Sequence, residues 1–327
     1  MFKSFLLAIL LTLTLFANDD RPPIPYNFLA KKEVRSFIDM MVKKYHFKRR
    51  YMELILKNAK LDRDTLDRYT GRYKVGSTNG PWERYKAHVL DPVTLQKAKR
   101  FKKRYAKTLS RASGVYNVPV EYIVGFIGVE SKFGEYTGDY RILDALTTLA
   151  FHPNRMQKFF KTELENLFLM AREQGYDVAK LQGSFAGAMG CVQQVPSVFR
   201  NYGMDFNGDG KKDPWDIEDC IGIIARFMHN NGWQNGLPAA VKTNFSSKRY
   251  AGKLTPTHRR TYPIQAIKKQ GILPKQPFRE SNAYLLLTRN TTHDDLWIGG
   301  KNFRILTRYN NAATYGMAIH LIAESVK

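Results

Sequence analysis

Cysteine and acid are the scarce residues of this sequence. Only Cys191 and Cys220 occur among 327 residues, which excludes a disulfide-built scaffold and a cysteine zinc site. In an oxidising compartment the two can pair, but sequence gives no distance between them and the point stays open. No cysteine stands near residue 17, so a lipid-modified N-terminus has nothing to carry the lipid. There is no HExxH pair, no GxSxG elbow, no Walker-type GK[ST] and no GxGxxG fingerprint. Zinc hydrolases of that kind, serine hydrolases, P-loop enzymes and dinucleotide enzymes are therefore disfavoured. All seven histidines are isolated, and a lone thiol such as Cys191 is more often buried structure than nucleophile.

Acid is outnumbered, with 29 Asp and Glu against 52 Lys and Arg, a net charge of +23, while aromatics reach 13%. Such a chain suits nucleic acid, an anionic surface or an acidic polymer. The N-terminus chooses among them. Lys3 precedes an uncharged run from Phe5 to Phe16, then Ala17 and the polar Asn18–Asp19–Asp20. That is the pattern of a signal peptide over 1–17; an uncleaved anchor is the alternative, disfavoured because the run is shorter than the ~20 residues that span a bilayer. An exported, periplasmic protein that is not a lipoprotein is expected, and its positive field fits a cell-wall polymer or an anionic membrane surface better than nucleic acid, with a solvated basic face that binds nothing as the plainer alternative.

Apolar spacing predicts a mainly helical chain of α+β class. Val34, Phe37, Ile38 and Met41, then Tyr51, Leu54 and Ile55, mark two amphipathic helices joined around His46–Lys48. Gly71 to Pro81 reads as a loop, and Asp91–Tyr116 as one long basic helix with Leu95, Ala98, Phe101, Tyr105 and Leu109 inward. Prolines 238, 256, 263, 274 and 277 punctuate short strand-like runs at Tyr284–Thr288 and Asp295–Ile298. The expected organisation is a helical region over 18–116, a core over 117–235, a small β-containing domain over 236–300, and a segment over 301–327 that returns to the core.

Carboxylates remain as the chemistry. Asn117–Val118–Pro119 reads as a helix start, with Asn117 as cap, and Gly134 is placed to stop that helix. Glu130 falls in its last turn among Phe126, Ile127, Val129 and Phe133. Desolvation and the negative helix end both oppose ionisation there, so the carboxyl pKa should rise, as a general acid requires. The same position also suits a surface glutamate beside Lys132.

Val124–Gly–Phe–Ile–Gly–Val–Glu–Ser–Lys–Phe–Gly134 with Arg141–Leu146, then Gly183–Gly190 with Gln193 and Pro196, and finally Thr307–Asn310 with Tyr315, resemble three ordered motifs of the membrane-bound lytic murein transglycosylase B family. The similarity spans about residues 35–325. It implies a lysozyme-like core with accessory helical and β-bearing parts, and cleavage of the β-1,4 bond between N-acetylmuramic acid and N-acetylglucosamine of peptidoglycan without water, leaving 1,6-anhydromuramoyl ends. Glu130 matches the family's sole acid/base, and no catalytic cofactor is implied. Ser184, Gln193, Tyr309, Asn310 and Tyr315 match its sugar groove, and Arg155 an arginine that meets the anionic peptide stem. The family pattern has Tyr and Gly where Cys191 and Val192 stand, Tyr at Phe227, and a second Arg at Met156. Two ordinary readings compete with this one, a muramidase that admits water and a non-catalytic envelope protein that binds glycan.

Asp205–Phe–Asn207–Gly–Asp209–Gly210–Lys211 fits D-x-[DN]-x-[DN]-G, the start of an EF-hand loop over 205–219. Lys211 offers its carbonyl. Asp216 stands at the usual closing position, and the resemblance shifts that role to Asp219. A structural calcium is expected, weakened by Lys211 and Lys212; an Asp/Asn/Gly turn held by its own side chains is the plainer alternative. The expected partners are peptidoglycan glycan strands and proteins of wall synthesis or remodelling, with no nucleic acid, and the protein is expected to be a monomer.

Overall fold

The computed structural model of the protein describes residues 22–70, 81–246 and 248–327. The expected signal segment over 1–17 and the loop residues 71–80 lie outside them. In chain order the helices are α1 (Lys32–Tyr45), α2 (Arg49–Lys57), α3 (Arg63–Thr70), α4 (Pro81–Val89), α5 (Pro92–Arg104), α6 (Ala106–Tyr116) and α7 (Val120–Ser131). They continue as α8 (Ile142–Phe151), α9 (Gln157–Gln174), α10 (Pro196–Tyr202), α11 (Ile217–Asn230), α12 (Ile264–Lys268), α13 (Lys301–Tyr309) and α14 (Ala313–Ser325). The strands are β1 (Ile24–Pro25), β2 (Lys60–Leu61), β3 (Tyr140–Arg141), β4 (Gln182–Gly183), β5 (Ala240–Lys242), β6 (Thr257–Pro263), β7 (Asn282–Arg289) and β8 (Asp294–Gly299). The class is α+β and mainly helical.

The expected long basic helix is two. At Tyr105 the backbone leaves helical geometry (φ −105°, ψ 24°) between α5 and α6, and the Tyr105 ring packs on Phe101 with centroids 4.8 Å apart. The inward spacing carries on across the break, which is why periodicity did not show it: Ala98, Phe101, Leu109 and Ala112 are all buried.

Two compact units divide the described residues, one formed by 81–134 and 220–327, the other by 22–70 and 135–219. In the first, α7 is buried from Tyr122 to Val129, as a helix apolar all round must be. It packs on α14 and α5. Approach to α14 is so close that a Cβ at Gly125 would lie 2.6 Å from the Ile319 carbonyl oxygen. The same unit holds an antiparallel sheet in the order β5-β8-β7-β6, in register with Val241 and Leu285 both opposite Ile298. Its core includes Val241, Ile264, Ile267, Leu285, Leu296 and Ile298. The fully buried Asp294 accepts from Arg249 Nη1 at 2.9 Å and from the Tyr250 amide at 3.0 Å, so its charge is paired where it is dry.

In the second unit α8 is buried throughout and packs on α9. Asp144, within α8, takes the Lys60 amide at 2.8 Å and pairs with Arg141, a structural use of its carboxylate. Glu163 of α9 holds the start of α10 by accepting from the Ser197 amide at 2.9 Å and its hydroxyl at 2.6 Å. His46, with φ 58°, ends α1 before α2 begins at Arg49. Neither cysteine is free.

Candidate active site

The helix that carries Glu130 starts differently from the sequence expectation. Asn117 ends α6 in left-handed geometry (φ 52°), so it cannot take the extended backbone of a cap. Pro119 does so (φ −69°, ψ 135°), and no side chain caps α7. The Asn117 side-chain oxygen instead accepts from Asn235 Nδ2 at 2.6 Å. At the other end three consecutive residues turn left-handed, Lys132 (φ 49°), Phe133 (φ 67°) and Gly134 (φ 85°). The Lys132 and Phe133 amides return to the carbonyls of Gly128 (3.1 Å) and Ile127 (3.2 Å), and Ser131 Oγ accepts the Gly134 amide at 2.9 Å. The chain thereby folds the Phe133 ring back over Gly128, where a Cβ would meet ring carbons at 2.7 Å. Both glycines of the Gly-Phe-Ile-Gly-Val-Glu run thus make room, Gly125 for α14 and Gly128 for Phe133.

Glu130 is half-buried beside an aromatic cluster. Phe126, one turn back, lies against Tyr309 (5.4 Å between centroids), Phe227 (5.9 Å) and Tyr315 (6.4 Å). The Tyr315 hydroxyl donates to Glu130 Oε1. Burial pushes the Glu130 carboxyl up to about 8, and the Tyr315 hydrogen bond, which favours the charged form, opposes that rise. Tyr315 is itself held well above the usual phenol range by burial and then by the Glu130 charge. The Tyr85 hydroxyl on α4 is raised by the same two causes. Tyr85 was not legible as a site residue, since it follows the Gly-rich loop with no motif around it.

Of the expected residues, Glu130, Tyr309 and Tyr315 stand together in the first unit, with the buried Asn310 next in chain to Tyr309. Ser184, Gln193 and Arg155 belong to the second. Ser184 Oγ accepts the amides of Ala186 (3.3 Å) and Ala188 (3.0 Å), shaping its own loop. Gln193, left-handed at φ 48°, donates through Nε2 to the carbonyls of Thr137 and Gly190, each at 2.9 Å. Arg155 lines a pocket of about 650 Å³ with Arg68, Tyr69, Thr70, Pro153 and Asn154, its guanidinium 5.9 Å from the centre of the Tyr69 ring.

In the 205–219 loop the side chains close the turns themselves. Asp205 accepts the amides of Gly208, Asp209 and Gly210 at 2.7, 3.1 and 2.8 Å, and Asn207 accepts that of Asp209 at 2.9 Å. Asp209 accepts the Lys211 amide at 2.9 Å. The fully buried Asp219 receives the amides of Phe206 (2.6 Å), Asn207 (3.2 Å) and Asp213 (2.9 Å). Among the described residues no three Asp, Glu, His or Cys side chains converge as a metal cluster. The donors are nonetheless all hard oxygens, and a carboxylate oxygen that takes one amide keeps a second lone pair for a cation of calcium's kind.

The mainly helical fold, with Glu130 beside an aromatic cluster at the end of α7, is that of a lytic transglycosylase of lysozyme-like build. Residues 29–324 match the family model described as Transglycosylase SLT domain, and the chain belongs to that family. It is 38% identical over 307 residues to the membrane-bound lytic murein transglycosylase B of Escherichia coli (strain K12), covering 92% of this chain and 84% of that protein. The solved E. coli lytic transglycosylase SLT35 in complex with bulgecin A matches with a TM-score of 0.85 at 37% identity, over 93% of this chain and 95% of that one. SLT35 in complex with calcium matches with a TM-score of 0.84 at 37% identity and the same coverage, 93% and 95%. The activity is that of a peptidoglycan-degrading lyase.

The raised pKa has a consequence for stability. Because the folded protein binds the Glu130 proton more tightly than the unfolded chain, this group's contribution is fully present below about 4.5 and is lost as pH rises through about 8. Glu130→Gln has no such loss. Denaturant unfolding should show the variant gaining on the wild type across that window, by up to a few kcal/mol, and holding its lead above it. Parallel curves from pH 4 to 9 would show an ordinary, solvated carboxylate.

Proposed function

We propose that Glu130 is the only acid and base of the non-hydrolytic cleavage. The reading rests on one observation, a carboxyl at the end of α7 that carries a tyrosine hydroxyl on its oxygen beside an aromatic cluster, where burial pushes it up to about 8. Protonated Glu130 gives its proton to the glycosidic oxygen; the bond from that oxygen to the muramoyl C1 breaks, and N-acetylglucosamine leaves with a free 4-hydroxyl. The muramoyl C6 hydroxyl then attacks C1 while the Glu130 carboxylate takes the hydroxyl proton. The 1,6-anhydro ring closes, Glu130 ends protonated, and no water is consumed. An ordinary glycosidase sets a second carboxylate about 5 to 9.5 Å from the first. Asp144 is committed to Lys60 and Arg141 instead, and a substrate that carries its own nucleophile needs no second acid.

Tyr309, Tyr315 and Asn310 supply aromatic faces and an amide suited to sugar rings and acetamides. Ser184 and Gln193 shape their loops through backbone bonds and present their remaining polar atoms to glycan. The Arg155 pocket, cationic and open, takes the carboxylates of the peptide stem. We assign the protein to the periplasm, exported through residues 1–17; no described helix is long and apolar enough to cross a membrane. Its partner is the glycan strand, with wall-remodelling proteins beside it. Calcium in the 205–219 loop has a bracing role: Asp205, Asn207, Asp209, Asp219 and the Lys211 carbonyl would hold it, and the calcium found in a related structure supports this.

Mass spectrometry of digested peptidoglycan should show anhydromuramoyl ends from the wild type, and Glu130→Gln should lose at least about 100-fold in rate while remaining folded. Reducing muramic ends would make the enzyme a muramidase; an active Glu130→Gln would remove the acid. Arg155→Ala should raise KM for stem-bearing strands several-fold and leave KM for stripped glycan alone. Calcium should raise the Tm of the wild type, by about 2.7 kcal/mol of stability at a hundredfold excess over its Kd, and Asp209→Ala should abolish that gain; a Tm indifferent to calcium and chelator would leave the loop a self-bonded turn.

A further inference from the structure

The Tyr315 hydroxyl sits on Glu130, yet the helix that brings it there is weakly held at that end. Tyr315 is the third residue of α14, whose cap, Ala312, offers no side-chain hydrogen bond. The start of a helix leaves its first amides without internal partners, so an uncapped first turn depends on packing further along. Two tertiary anchors lie there. Gly125 of α7 meets the Ile319 carbonyl at a distance no side chain would allow. One turn of α7 earlier, the buried Tyr122 hydroxyl bonds His320 Nδ1 at 2.8 Å. The pairs Tyr122 with His320, Gly125 with Ile319, and Glu130 with Tyr315 run in opposite senses along the two helices, so they act as the teeth of one antiparallel register.

We propose that Tyr122 and His320 are positioning residues of the reaction: their hydrogen bond, with the close approach at Gly125, fixes α14 along α7 and so keeps the Tyr315 hydroxyl on Glu130. The proposal rests on Glu130 being the acid. The tie is built to be constant rather than switched. Burial drives His320 down to about 4, against the opposing pull of Glu324, whose Oε1 is 3.9 Å from Nδ1. Burial also holds Tyr122 protonated, so a neutral phenol and a neutral imidazole share the bond. Trp297 closes over His320 edge-on at 6.0 Å and Trp233 packs on Tyr122 at 4.6 Å, so the sheet and the segment after α11 clamp both partners. Among the described residues Tyr315 from α14 bonds Glu130, and the Glu130 charge in turn bears on Tyr315 and on Tyr85 from α4, with Tyr309 also acting on Tyr315.

The test is a ¹³C-NMR titration of the Glu130 carboxyl in the full protein, alongside kcat and KM. Tyr122→Phe and His320→Leu should each raise the Glu130 pKa by about one pH unit, because loss of the Tyr315 hydrogen bond leaves burial unopposed. Both should cut kcat several-fold with KM held. His320→Asn, whose side-chain amide can donate or accept in place of Nδ1, should titrate as the wild type does, which gives a second reading should Tyr122→Phe not fold. Tyr315→Phe should show the same rise, and adding Tyr122→Phe to it should add nothing. A folded Tyr122→Phe or His320→Leu with an unmoved titration, or a rise that adds in full to that of Tyr315→Phe, would overturn the proposal. The titration reads register without turnover; if Glu130→Gln were active while these rises held, the acid assignment alone would fail.

Discussion

One carboxyl kept from water is the constraint on which the rest of the site depends. A carboxylic acid held neutral near pH 8 is a high-energy arrangement once the proton leaves, and each tenfold change in its acidity corresponds to about 1.4 kcal/mol. Such a group persists only where surrounding packing leaves no room to turn it toward solvent. The apolar length of α7, the left-handed turn that folds Phe133 over Gly128, and the aromatic cluster around Phe126 are the parts that do this. Tyr315 then limits the rise instead of abolishing it, which leaves the group able both to give a proton and to take one back.

Other buried acids are bound to other tasks. Asp144 holds the Lys60 amide, Glu163 the start of α10, Asp219 three amides of its loop, and Asp294 the Arg249 side chain. Each buried charge has its own donors, as burial demands. Among the described residues, the hydrogen-bond partner of Glu130 is one neutral hydroxyl, that of Tyr315. That contrast, more than the presence of a glutamate, is what the proposed acid role rests on.

Much of this was legible in sequence, and the failures have physical causes. Helix periodicity located α1 by its buried face; in α2 it marked Tyr51 and Leu54, which are exposed, while Met52 and Leu56 are the buried residues, and α7 is buried all round. It could not place the break at Tyr105, where the inward stripe continues through the kink. Asn117 has the composition of a cap, yet the backbone it adopts ends α6 and leaves the cap to Pro119. Glu130 was marked by its apolar neighbours, and Tyr315 by resemblance. The bond between them is a long-range contact that no local pattern encodes, and Tyr85 reaches the same carboxyl from a helix with no motif. Ser184 and Gln193 were marked by resemblance, and the backbone bonds by which they hold their own turns follow from no local pattern.

The central claim is that Glu130 is protonated when the enzyme is ready to act. Infrared difference spectra between the wild type and Glu130→Gln report that proton directly, through the carbonyl stretch of a neutral carboxylic acid. At pH 7 the difference should contain that band, and it should fade only as pH passes about 8. A difference at pH 7 made solely of carboxylate bands would contradict the account.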